Sequence, residues 1–160
     1  TGGLHWDWVP FGHAGKLYFA ADDGSGNGTE PWVSDGTRRG TQMIQNINPG
    51  IDSSTTASPG SFAALDGAVY FAAADGAHGS ELWRTDGTPA NTELVSDAAP
   101  GSDSAAPLYL EVFRGDLYFS ADVGTGRELW RTDGTAAGTE RFKIPNLGGD
   151  GRVRRLTAFE

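Results

Sequence analysis

The chain has no cysteine and a single methionine among its 160 residues. Without thiols there is no disulfide framework and no thiol chemistry, although the absence does not identify a redox compartment. No apolar run is long enough for a membrane span, and no signal-peptide pattern is visible. Apolar residues at 3.6-residue spacing never persist beyond a turn or two, which excludes long helices. Positive charge is scarce: 12 Lys and Arg face 21 Asp and Glu, a formal net charge of −9. A surface of that sign does not track phosphates, so nucleic acid is not an expected partner. A divalent cation, a basic partner or plain solubility all fit. The chain also lacks a Gly-x-Ser-x-Gly elbow and a phosphate loop, and His5, His13 and His78 do not fall at zinc spacing.

What the chain has is repetition. Glu-Leu-Trp-Arg-Thr-Asp-Gly-Thr occurs at Glu81–Thr88 and again at Glu128–Thr135, and Glu30-Pro-Trp-Val-Ser-Asp-Gly-Thr37 is a degenerate third copy. Trp32, Trp83 and Trp130 are 51 and 47 residues apart. A period near 50 marks one supersecondary unit written three times. The 24 glycines, with Asp, Ser, Thr and Pro, punctuate the chain every few residues, which suits short strands joined by turns.

The middle copy is the clearest. Ser61–Leu65 reads as a strand and Asp66-Gly67 as a two-residue hairpin turn, because Gly tolerates the positive φ that such turns require. Ala68–Ala73 is a second strand, rich in residues that favour a pleated surface. Asp75–Gly79 is a polar loop, Glu81–Arg84 a third strand, Thr85–Thr88 a turn and Thr92–Val95 a fourth strand. Asp97–Ser104 leads to the next copy. Lys16–Ala20 and Asp116–Ser120 match the second strand, and Thr41–Ile44 and Thr139–Phe142 the fourth.

Four short antiparallel strands in about 50 residues form the pattern of a β-propeller blade. The adjacent pairs Tyr18/Phe19, Tyr70/Phe71 and Tyr118/Phe119 make both faces of the second strand apolar, as expected for a sheet held between two others. The Trp of the third strand is then an inter-blade packing residue. The expected architecture is all-β, a propeller-like array of four-stranded antiparallel blades over about 8–52, 61–104 and 108–150. Trp8–Phe11 aligns with the first strand of copy one, and Leu156–Phe159 opens a further blade within 156–160. Three blades and an orphan strand do not close a ring, for which four blades is about the lower limit. Thr1 is not an initiator Met, which points to a processed or excised piece. A fragment of a longer propeller, ring completion by several copies and a head-to-tail array are the open alternatives.

Glu81–Thr88 followed by Asn91-Thr92, and Glu128–Thr135 followed by Gly138-Thr139, resemble the bacterial ELWxxDGT repeat. The preceding Leu-Tyr-Phe segments and the Asn-Pro-Gly and Ala-Pro-Gly segments that follow are similar to it as well. The resemblance spans about Phe11 to Gly149. It implies a large, secreted or surface-attached bacterial protein built from propeller-like repeats, and it carries no enzymatic activity. Pro31 replaces Leu in the first copy, which suggests an edge or bulged strand there.

Three groups of residues are candidates for chemistry. Asp22, Asp23 and Glu30, then Asp75 and Glu81, then Asp122 and Glu128, occupy one position in the three copies. Ca²⁺ takes six to eight such oxygens, but Asp also organises turns by accepting backbone N–H bonds, as in the Asp-box hairpins of sialidase-type propellers that these loops resemble. The Glu could instead pair with Arg84 or Arg131. His5, Trp6, Asp7 and Trp8 form an aromatic cluster that suits either stacking on a sugar or capping the first copy. Arg152, Arg154 and Arg155, with Leu156 and Phe159, form a basic strand suited to an acidic neighbour chain or to keeping a sheet edge soluble. Acids that recur in every copy argue against a catalytic pair, which is normally unique. The expected function is therefore a non-enzymatic structural or adhesive module of an extracellular protein. Its partners would be copies of itself or further repeats, without membrane insertion and without a required cofactor. A carbohydrate-binding propeller is the alternative, ahead of a glycosidase.

Overall fold

The computed structural model of the chain describes residues 10–50, 52–55 and 62–142. These residues form three antiparallel four-stranded sheets, none of them closed into a barrel, and one short 3-10 turn at Pro89–Asn91. The first sheet holds β1 (Phe11–His13), β2 (Lys16–Ala21), β3 (Glu30–Ser34) and β4 (Gln42–Met43). The second holds β5 (Phe62–Leu65), β6 (Ala68–Ala73), β7 (Glu81–Thr85) and β8 (Glu93–Ser96). The third holds β9 (Leu108–Phe113), β10 (Asp116–Asp122), β11 (Arg127–Thr132) and β12 (Glu140–Arg141). Spatial order follows chain order in every sheet.

Asp66 and Gly67 both have positive φ, 49° and 82°. This is the mirror-image turn whose twist matches that of the flanking strands. Ala14-Gly15 and Arg114-Gly115 adopt the same conformation, so the Gly carries the turn signal and its predecessor is forced to follow.

Two expectations about the first sheet need correction. Its first strand is Phe11–His13, with Phe11 opposite Tyr18, rather than Trp8–Phe11; Trp8 itself lies outside the described residues. Pro31 is neither on an edge strand nor in a bulge. It pairs in register with Ala20 on the inner strand β3. Its carbonyl accepts the Ile44 N–H at 2.8 Å, just beyond the two-residue β4. An N–H at residue 31 would point to that same side, opposite Ile44, so proline forgoes at most the one return bond of this terminal pair. A bulge does occur elsewhere. Tyr118 pairs with Glu111 but Ser120 pairs with Leu108, and Tyr109 takes a φ of 58° to absorb the extra residue.

The middle sheet is dry on both sides. Tyr70 is 2% exposed and its neighbour Phe71 is fully buried. Consecutive strand residues point to opposite faces, so each needs its own cover. Ala63, Leu65, Tyr70 and Leu82 pack against Leu110, Leu117, Phe119 and Ala121 of the third sheet. On the other face Val69 packs with Tyr18, Val33 and Ile44 of the first sheet. Phe71 and Trp83 pack with Ile47 in the connection from the first sheet. Trp83 thus meets the connecting segment, and no strand of the first sheet belongs to its cluster. The backbones of adjacent sheets approach most closely through their first strands, β1 to β5 and β5 to β9.

Phe71 is fully buried among its own sheet and Ile47 of the connection, whereas its counterpart Phe19 is half-buried. Phe71→Ala is expected to cost about 3–5 kcal/mol, the usual penalty for emptying a buried Phe site. Phe19→Ala should cost clearly less. Urea denaturation of the two variants checks the order.

Candidate functional site

Two of the side chains that recur in the repeats, Glu30 and Glu81, lie at the two junctions between sheets. Glu30 and Glu81 open β3 and β7, and both are fully buried. Glu81 accepts the N–H groups of Ala98 (3.0 Å), Ala99 (3.3 Å) and Ala105 (2.9 Å), all in the segment that leaves the second sheet for the third. Glu30 holds the equivalent segment, accepting from Ile47 N (2.9 Å), Asn48 N (3.4 Å) and the Ser54 hydroxyl (2.5 Å). A buried carboxylate is tolerable only when several donors replace water, and here the donors come from a segment with no regular structure of its own. Each segment is then stitched onward. Ser54 N donates to Thr29 O, and Ser54 O accepts from Ala74 N of the second sheet. Ala106 N donates to Ser80 O, and Ala105 O accepts from Asp122 N of the third. Burial pushes the Glu81 carboxyl above its ordinary value, and the three N–H bonds oppose that rise.

Neither buried glutamate pairs with arginine, contrary to one sequence expectation. Arg84 lies directly across from Glu93 and pairs with it, and Arg131 pairs with Glu140 in the same way. Glu128 departs from its two counterparts: its side chain is 29% exposed and binds Arg141 at 2.6 Å. The segment that would correspond to 97–105 in the third copy lies outside the described residues.

The acidic loop residues hold turns. Asp22, Asp23, Asp75 and Asp122 each accept the backbone N–H two residues on, from Gly24, Ser25, Ala77 and Gly124. Asp75 also binds the His78 imidazole at 2.9 Å, which raises the histidine pKa. Burial tends to raise the Asp75 pKa, but its bonds from His78 and Ala77 outweigh this and it lies below the ordinary value. Among the described residues no three Asp, Glu or His side chains converge as metal ligands would. A cleft of about 480 Å³ lies between the segment that leaves the second sheet and the β10–β11 end of the third, lined in part by Asp103, Asp122 and Arg127. Arg127 is committed there, donating to Ala106 O at 3.0 Å and to the Ser120 hydroxyl at 3.2 Å.

The Asp-Gly-Thr turns have two roles. Asp35, Asp86 and Asp133 each accept both the N–H and the hydroxyl of the Thr two residues on. The turns are also docking points. The Tyr18 hydroxyl of the first sheet donates to Asp86 O of the second at 3.3 Å. Arg84 of the second sheet donates to Gly134 O of the third at 3.0 Å. A Cβ on Gly134 would lie 2.4 Å from the Tyr70 hydroxyl, so glycine is required there by this close approach as well as by its φ of 93°. Sequence reasoning placed the Asp-Gly turn within its own copy and missed the contact with the previous one. The copy-to-copy recurrence of a Tyr on β2, β6 and β10 was the available signal.

His5, Trp6, Asp7 and Trp8 lie outside the described residues, as do Arg152, Arg154, Arg155, Leu156 and Phe159. No protein-family model, curated protein or solved structure matches the chain.

Glu81→Gln replaces one acceptor oxygen with an amide that cannot accept, leaving a buried N–H unpaired. It is expected to destabilise the fold by about 1–3 kcal/mol, measured by urea denaturation. The Asp turns predict a pH dependence. Hydroxyl and N–H bonds to the ionised form hold Asp35, Asp86 and Asp133 below the ordinary value of 3.8. Their contribution is therefore present above about pH 3.8 and is lost as pH falls through the lowered values. Glu81 acts in the opposite sense: its contribution is present below the ordinary 4.5 and is lost as pH rises through its raised value. Melting temperature should fall on acidification below about pH 4, and fall less steeply in the triple variant Asp35→Asn, Asp86→Asn, Asp133→Asn.

Proposed function

We propose that the chain is a non-enzymatic, propeller-type repeat module of an extracellular bacterial protein, with a structural or adhesive role exercised through association by its uncovered sheet faces. One observation carries the reading: the polar residues that recur from copy to copy are spent on the fold itself, on turns and pairs within a sheet and on the segments that join one sheet to the next. Glu30, Glu81 and the Asp-Gly-Thr turns bond to backbone in turns and connecting segments. A repeat whose signature residues serve its own folding and stacking is built to present an array. Catalysis uses a unique site, and the repetition runs against that.

The propeller-type arrangement is supported by four-stranded antiparallel sheets in chain order. It is also supported by the closest backbone approach running through the first strand of each sheet. That is how blades converge on an axis and splay outward. The secreted or surface-attached address rests on the resemblance to the ELWxxDGT repeat carried by Glu81–Thr88 and Glu128–Thr135.

Association is expected to show as a sedimentation mass that rises with concentration above the 16.8 kDa of one chain, with no selective signal on a glycan array. A concentration-independent monomer that binds one glycan class would overturn the reading in favour of a lectin.

A further inference from the structure

The two junctions inside the chain are one interface used twice. Tyr18 in the first sheet and Tyr70 in the second lie on the face turned toward the next sheet. Each covers the Asp-Gly turn of that next sheet. Resting on the reading of an associating module, we infer that a second copy of this chain docks head to tail. The outward face of the third sheet, holding Tyr118, would sit on the outward face of the first sheet, holding Leu17, and repeat the same interface a third time.

Among the described residues both halves of that interface are present and uncovered by another sheet. On the third sheet Phe113 is 46% exposed where its counterpart Leu65 is 5% exposed. Tyr118, Leu129 and Phe142 are half-buried where Tyr70, Leu82 and Val95 are buried. The Tyr118 ring lies among Phe113 and Phe142, with centroids at 6.4 and 5.7 Å. On the first sheet Leu17 is 45% exposed where Val69 and Leu117 are fully buried. Phe19 and Trp32 on that face are half-buried. The turn agrees: Gly87 and Gly134 are buried beneath a tyrosine, whereas Gly36 is exposed and, among the described residues, nothing lies within 4 Å of where its Cβ would be. Arg131 matches Arg84, which donates to the turn carbonyl across the inner junction.

Charge argues for a second copy as the occupant. Exposed Arg38 and Arg39 follow Gly36 where the other copies have Pro89-Ala90 and Ala136-Ala137. On the third sheet Asp116 stands where the first has Lys16, whose Nζ lies 3.5 Å from the Cβ position of Gly87. Docking head to tail therefore brings Asp116, which lies 3.7 Å from Arg131 of its own sheet, beside the Gly36–Arg39 turn, where it can also face Arg38 and Arg39. The contact joins unlike faces, so it propagates until a ring closes or a filament grows.

Leu17→Glu and Phe113→Glu alter exposed side chains, and circular dichroism verifies that each variant stays folded. Each alone is expected to sediment as a monomer. Their equimolar mixture is expected to form one complex of about twice the mass of a chain and nothing larger, because one intact joint remains between an unaltered third sheet and an unaltered first sheet. If Leu17→Glu alone still dimerises, like faces meet, which overturns the direction inferred and leaves association standing. If the wild-type chain associates but the mixture stays monomeric, the joint lies elsewhere and the inference is again overturned alone. A wild-type chain that is monomeric at every concentration overturns the inference together with the associating module on which it rests.

Discussion

Each sheet in this chain is apolar on both sides, and that constraint shapes everything else. Tyr70 and Phe71 are adjacent in one strand and both are buried, which no sheet can achieve with water on one face. A four-stranded sheet of this kind cannot stay dry alone, so its neighbours are part of its fold. The Glu30 and Glu81 carboxylates supply what apolar packing cannot, a fixed direction and spacing. By gathering N–H groups from an irregular segment they set where the next sheet begins, and the Tyr-to-turn contacts then fix how it sits.

The two kinds of junction contact divide the work in a physically sensible way. Dispersion and burial of Phe71, Leu117 and Phe119 supply the energy and are indifferent to orientation. The buried carboxylates contribute little net energy once desolvation is counted, but a misplaced segment would leave both the carboxylate and the amides unpaired. The polar residues of the motif therefore act on specificity, rejecting other spacings of the sheets. A motif selected for that purpose recurs with the repeat, as this one does, and it leaves the end copies carrying the same equipment as the middle one.

Much of the strand pattern was legible beforehand. Ala68–Ala73 was read residue for residue, and the Asp66-Gly67 hairpin follows from backbone sterics alone. The adjacent Tyr70/Phe71 pair of the middle copy correctly required cover on both faces, whereas Phe19 and Tyr118 of the outer copies are half-buried. Pro31 misled because a proline is judged by the hydrogen bond it removes, and whether a bond is owed at that residue depends on where β4 ends. The bulge at Tyr109 had no local mark. The partners of Glu81 were hidden for a different reason: they are main-chain N–H groups, which every residue but proline carries, so no side-chain pattern announces them.

Local rules acting over a few residues, together with recurrence over about 50, were enough to determine strands, turns, the all-β class and the unit of repetition. These depend on interactions whose partners are close in sequence or occupy the same place in each copy. Only the tertiary structure decided that Glu30 and Glu81 clamp the segments between sheets, and that the turns at Gly87 and Gly134 lie under the tyrosine of the preceding copy. It alone left Leu17 and Phe113 bare at opposite ends. Those facts depend on which surfaces meet across a junction, and a residue's neighbours in space are set by burial and hydrogen-bond satisfaction over the whole chain.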